Sequence, residues 1–95
     1  MNIKVVNAQN NFMDYEKIYV DVTAEFSRKG GMRPKIIVWG DGQKFEIDNV
    51  KEICRAPCKS GSVLPKRYTV TVWGKQKYLY FEREKERWFV EREIK

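Results

Sequence analysis

A chain of 95 residues with 42% hydrophobic and 34% charged side chains has material for one compact domain and no room for two cores. Its net charge of +6 comes with no histidine at all, which removes the usual imidazole base and any ordinary Ser-His-Asp arrangement and favours a protein that is not an enzyme. No apolar run approaches the roughly 18 to 20 residues of a membrane helix, and "MNIKVVNAQNN" lacks an apolar stretch of signal-peptide length, so a cytoplasmic protein without membrane contact is expected.

Residues 1 to 14 read as an amino-terminal extension, partly ordered at best, and residues 15 to 95 as a single β domain. From Lys17 to Phe26 the chain alternates, with Ile18, Val20, Val22, Ala24 and Phe26 on one face and Tyr19, Asp21, Thr23 and Glu25 on the other. "SRKGGMRP" supplies a hairpin loop, and Pro34 is barred from a central ladder because it has no N–H to donate. "KIIVWG" is the second strand. Asp41 and Gly42 form a tight hairpin signal, and "QKFEIDNV" returns as the third strand. Val50 falls out of step with Phe45 and Ile47, which predicts a bulge or bend near Asp48 and Asn49, with the strand running on to about Ala56.

"PCKSGSVLPK" reads as the longest internal loop and the least constrained part of the fold. "RYTVTVW" resumes strict alternation, "GKQ" turns, and "KYLYFE" and "RWFVERE" complete a meander. The last segment also contains helix formers with charges able to pair at i, i+4. Its run of aromatic and β-branched residues from Arg87 to Val90 favours a strand.

The pattern therefore predicts an all-β fold: a single small antiparallel meander of about six strands rolled into an SH3-like barrel or half-barrel. Alternation assigns its core to Ile18, Val20, Val22, Phe26, Ile36, Val38, Phe45, Ile47, Val70, Val72, Leu79, Phe81, Trp88 and Val90. "VWGDGQKF" from Val38 and "VWGKQKY" from Val72 read as two hairpins of this one barrel, each a strand ending in Trp-Gly, a short turn and a return strand beginning Gln-Lys-aromatic.

Charge is unevenly placed. Between Ile53 and Phe81, Arg55, Lys59, Lys66, Arg67, Lys75 and Lys77 face no acidic residue. Arg28, Lys29, Arg33 and Lys35 form a second acid-free run, and a shared face for both would attract phosphates. The plainer reading is solubility, which small proteins obtain from net charge. Trp39, Trp73, Tyr19, Tyr78 and Tyr80 fall opposite the core parity, where they suit stacking on bases, a second small core or an interface. Cys54 and Cys58 read as ordinary thiols: a bridge would close a very short loop, and zinc would lack half its ligands. No P-loop, GxGxxG or GxSxG pattern occurs, so no catalytic residue, metal, cofactor or small-molecule substrate is implied.

The order "IYVDVTAEF", "RPKIIVWGDGQKFEIDNV", "RYTVTVWGKQKYLYFE" and "RWFVE" resembles a family of short uncharacterised proteins from clostridia and related Firmicutes. There a tryptophan and a tight "DG" hairpin precede an "F/Y-x-I-D-x-V" strand, with "RYTV", a turn and "WFVE" following. A more distant likeness is to small domains that accompany repair polymerases in some actinobacteria. The resemblance covers about Lys17 to Glu91 and implies the fold but no activity; the extension before Asp14 and the "CRAPC" pair depart from it.

Two functions from different classes stand. One is a non-catalytic protein-interaction or structural module that binds a protein partner or a second copy of itself. The other binds nucleic acid or another polyanion through Arg55, Lys59, Lys66, Arg67, Lys75 and Lys77, with Trp39 or Trp73 as a stacking surface.

Overall fold

The computed structural model describes residues 14–61 and 64–94. The described residues contain no helix, and so none long and apolar enough to cross a membrane. They form seven strands: β1 (Asp14–Phe26), β2 (Met32–Val38), β3 (Lys44–Glu46), β4 (Asn49–Arg55), β5 (Lys66–Val72), β6 (Lys75–Glu82) and β7 (Arg87–Ile94). The segment that also carried helix formers is the strand β7. The expected extension lies outside the described residues except for Asp14, which already belongs to β1.

All pairings are antiparallel, in the order β3-β2-β1-β7-β6-β5-β4. The two edge strands, β3 and β4, are separated in sequence only by Ile47 and Asp48. The Ile47 N–H donates to the Lys35 carbonyl of β2 at 2.9 Å, and the Asp48 N–H donates to the Thr71 carbonyl of β5 at 2.8 Å. Two consecutive residues thus tie the opposite edges of one sheet, which forces the sheet to curl into a half-barrel and leaves no long bare edge there. The bend predicted near Asp48 is this link, and it divides the expected third strand into β3 and β4.

Strand alternation holds where pairing is regular. Val20, Tyr68, Val70, Leu79 and Trp88 are buried on the concave face, and Ile18, Val22, Phe45, Ile47, Val72, Phe81 and Val90 pack against them. β2 departs from the prediction. Thr23 pairs with Ile36 but Ala24 pairs with Pro34, so Lys35 is an extra residue on β2 and the parity changes there. Ile37, 6% exposed, therefore takes the core position expected for Ile36 and Val38. Pro34 is buried inside β2 rather than ending a loop, because a bulge accepts a residue without an N–H. Phe26 is 78% exposed rather than in the core, since it and Met32 form the last pair before the hairpin turn, beyond the sheet that would cover it.

The convex face carries a second apolar layer. Phe89 is fully buried there and stacks on Tyr80 with centroids 5.0 Å apart and planes 12° from parallel. Tyr19 meets Phe89 edge-on at 5.9 Å, and its hydroxyl donates to Glu82 Oε1 at 3.0 Å. The ammonium of Lys17 lies over Phe89 and 3.9 Å from Glu82 Oε2. This layer fastens β6 to β7, yet the ladder between them has only three pairs: Glu82 with Arg87, Phe81 with Trp88, and Tyr80 with Phe89. Below Tyr80 and Phe89 the strands part, β6 following β5 and β7 following β1.

Candidate binding cleft

The parting of β6 and β7 opens a cleft of about 930 Å³. Such a volume lies within the usual range of ligand pockets. Its floor is the concave core face, with Ile18, Ile37, Val70, Val72, Leu79 and Val90. Of the eight residues singled out from sequence, the fold brings six to its walls: Lys59, Arg67, Lys75, Lys77, Trp39 and Trp73. Arg55 and Lys66 lie elsewhere, opposite each other across β4 and β5, with the Lys66 ammonium 5.6 Å from the Tyr68 ring.

The two Trp-Gly turns meet at this cleft. At the first, the Trp39 N–H donates to the Gln43 carbonyl and the Gly42 N–H to the Trp39 carbonyl, both at 2.8 Å, while the Gln43 N–H donates to Asp41 Oδ1 at 2.9 Å. Gly42 takes the positive φ, +89°, and Trp39 does not. At the second, Val72 pairs with Lys75, so only Trp73 and Gly74 form the turn. Both have positive φ, +53° and +75°, as a type I′ hairpin requires. The left-handed backbone redirects Trp73 from the convex parity expected of it onto Phe45, with centroids 5.5 Å apart; Trp39 reaches the same ring at 6.3 Å because the Lys35 bulge reversed its parity too. Trp39 is 37% exposed and Trp73 74%.

The cations surround this aromatic lip from both faces. Lys75 and Lys77 pair with Val72 and Val70 and so share the concave face. Arg67 lies on the convex face, its guanidinium 4.4 Å from the Tyr78 ring and its Nη2 3.8 Å from Cys54 Sγ, while its buried Nε has no hydrogen-bond partner among the described residues. Lys59 sits 4.8 Å over the ring of Tyr15. Among the described residues none of Lys59, Arg67, Lys75 and Lys77 forms a salt bridge. Glu91, the one carboxylate on the cleft wall among the described residues, is occupied: its Oε2 accepts from the Ser60 N–H at 2.6 Å and the Ser60 hydroxyl at 2.7 Å. Arg92 is committed to Glu16, its Nε donating at 2.8 Å. The result is a surplus of positive charge beside exposed aromatic rings.

The Ser60–Glu91 bonds also tether the loop between β4 and β5 across the convex side, together with the Lys17 ammonium donating to the Ser60 carbonyl at 3.4 Å. The loop expected to be least constrained is anchored at Ser60. Burial pushes the Tyr80 phenol up to about 12, helped by the Glu91 carboxylate and opposed by Arg67. Burial likewise raises Tyr68, whose hydroxyl is buried without a hydrogen-bond partner among the described residues. Among the described residues Cys54 and Cys58 form no disulfide, and no group of three or more His, Cys, Asp or Glu side chains is placed to hold a metal.

The second basic run does not join the site. Arg28 and Lys29 occupy the turn at the Phe26–Met32 end of the β1–β2 hairpin, whereas Trp39 follows the other end of β2, about 20 Å away at roughly 3.3 Å per residue. Lys35 is paired with Glu25 at 3.6 Å. Tyr15, which sequence reasoning missed, stands alone as an aromatic among the charges of "DYEK"; only the β1–β7 pairing sets it beside the cleft. Comparison with known proteins returns no matching family model, curated protein or solved structure, so the cleft is read from its own chemistry.

Proposed function

We propose that this protein is a non-catalytic interaction module that captures an acidic, extended segment of a partner protein in the cleft between β6 and β7. The observation that carries the reading is the convergence of four cations that have no acid partners among the described residues, Lys59, Arg67, Lys75 and Lys77, around one apolar-floored cleft with Trp73 exposed at its lip. Aromatic anchors flanked by cations suit recognition of carboxylate-bearing chains, with charge setting the encounter and desolvated rings supplying the affinity.

The polyanion reading uses the same cations but fits less well. A phosphate backbone is tracked by a continuous basic stripe, and Arg28, Lys29 and Arg33 stand at the opposite end of the β1–β2 hairpin. Trp39 is held against Phe45 with the ring planes near perpendicular and is only 37% exposed.

Fluorescence anisotropy with a labelled ten-residue peptide of alternating glutamate and valine, run beside a labelled oligothymidine at two salt concentrations, tests the choice. The peptide binds the wild-type chain, and Lys75→Glu combined with Lys77→Glu weakens it by at least about tenfold. Tighter binding of the oligonucleotide than of the peptide at both salt concentrations overturns the reading in favour of nucleic acid.

A further inference from the structure

Resting on that reading, we infer that the partner segment binds as an added antiparallel strand on the open edge of β6, pairing with the backbone of Gln76 and Tyr78. The argument starts from the turn. In a two-residue hairpin the closing pair exchanges both of its backbone hydrogen bonds, so Val72 and Lys75 face each other fully. Alternation then sends the N–H and C=O of Lys75, Lys77 and Leu79 toward β5, and those of Gln76, Tyr78 and Tyr80 toward β7. Tyr80 finds Phe89 there. Gln76 and Tyr78 find no strand partner among the described residues, because β7 has already turned away with β1.

An unpaired strand edge is a template for another chain, and proteins commonly blunt it by twisting, covering or charging it. This edge instead lines the cleft. The lysines flanking it repel a second copy of a chain that is itself +6, and they complement an acidic one. On the concave side, Lys75 and Lys77 stand at the positions that glutamates of an added strand would meet. On the convex side, Tyr78, 44% exposed, and Gln76 stand where the alternating apolar residues would fall. Alternating acidic and apolar residues are therefore the pattern this edge selects.

The backbone register makes the test sharp. In antiparallel addition, the peptide residues that exchange both bonds with Gln76 and Tyr78 share their face, so they are the valines of the glutamate-valine peptide. N-methylation of the valines removes the donors facing β6 and lowers affinity at least tenfold; N-methylation of the glutamates alters only the outer edge and leaves affinity within threefold. Gln76→Pro, which deletes one outward N–H without touching the β5 ladder, weakens the unmethylated peptide by a similar factor. Equal affinity of all three peptides, or equal loss in both methylated ones, overturns strand addition while leaving acidic-peptide capture intact. Failure of the unmethylated peptide to bind sinks both.

Discussion

β6 and β7 are one hairpin with two unlike ends. At the closed end, next to the turn, Tyr80 and Phe89 stack, Tyr19 and Lys17 of β1 close over them, and Glu82 of β6 accepts from the Tyr19 hydroxyl and pairs with the Lys17 ammonium. At the open end, β6 carries Lys75, Lys77, Tyr78 and an unpaired edge. The difference teaches where each strand spends its side chains. The closed end buries aromatic area on both faces of the sheet, which stabilises; the open end leaves rings and charges available, which contributes little to folding and, on the proposed reading, serves recognition.

The sharpest way to break the comparison is to empty the closed end. Phe89 is fully buried between Tyr80 and Tyr19, so Phe89→Ala removes a large aromatic volume that these neighbours cannot refill. A cost of about 3 to 5 kcal/mol is expected, a large share of the roughly 5 to 15 kcal/mol available to a domain. Urea unfolding followed by tryptophan fluorescence measures it; a cost under about 1 kcal/mol would mean that the seam is not held by this layer.

How much of this contrast was legible in the sequence depended on whether the information was local. Period-two alternation in "KIYVDVTAEF" and "RYTVTV" placed Val20 and Val70 in the core, and the Asp41–Gly42 turn was plain. Alternation failed at Ile36 and Val38 because a bulge at Lys35 shifts the register between two strands, and neither strand alone records such a shift. The acid-free run from Ile53 to Phe81 pointed to the cations of the site, but it carried Arg55 and Lys66 along with them. Only pairing across β4 and β5 sets those two apart from the cleft. Phe89 was passed over since a fully buried residue on the solvent parity of a half-barrel requires a second layer, built from Tyr80 and the distant Tyr19 and Lys17. The open seam itself had no sequence signal: it exists because β1 and β5 hold β7 and β6 on diverging courses.

Alkaline pH probes the closed end more gently. The Tyr80 phenol keeps its proton in the folded chain up to about 12, whereas an unfolded tyrosine loses it near 10. Below pH 10 both states hold the proton and the contribution of the buried neutral phenol is fully present. Between pH 10 and 12 the unfolded state binds fewer protons, so stability falls with rising pH. Tyr80→Phe keeps the stacked ring and removes the titrating group, so its stability between pH 10 and 12 declines less steeply than that of the wild type. Parallel slopes for the two proteins would assign the alkaline loss to Tyr68 or to other groups.

The smallest expected change in stability belongs to the open end, and it is the one that separates folding from recognition. Trp73 occupies a left-handed backbone position that costs a residue with a Cβ roughly 1 to 2 kcal/mol and that asparagine tolerates best in a turn followed by glycine. Against that cost stands its edge-on contact with Phe45, about 0.5 to 1.5 kcal/mol. The two terms nearly cancel, so Trp73→Asn leaves the unfolding free energy within about 0.5 kcal/mol of wild type. On the proposed reading, a tryptophan that is 74% exposed and sits in a disfavoured conformation serves the cleft rather than the fold. Trp73→Asn therefore weakens the glutamate-valine peptide by about tenfold or more while its thermal midpoint stays in place. If the substitution lowers both together, Trp73 is a structural plug for Phe45, and the division of labour between the two ends of the seam fails at the residue where it is most exposed to test.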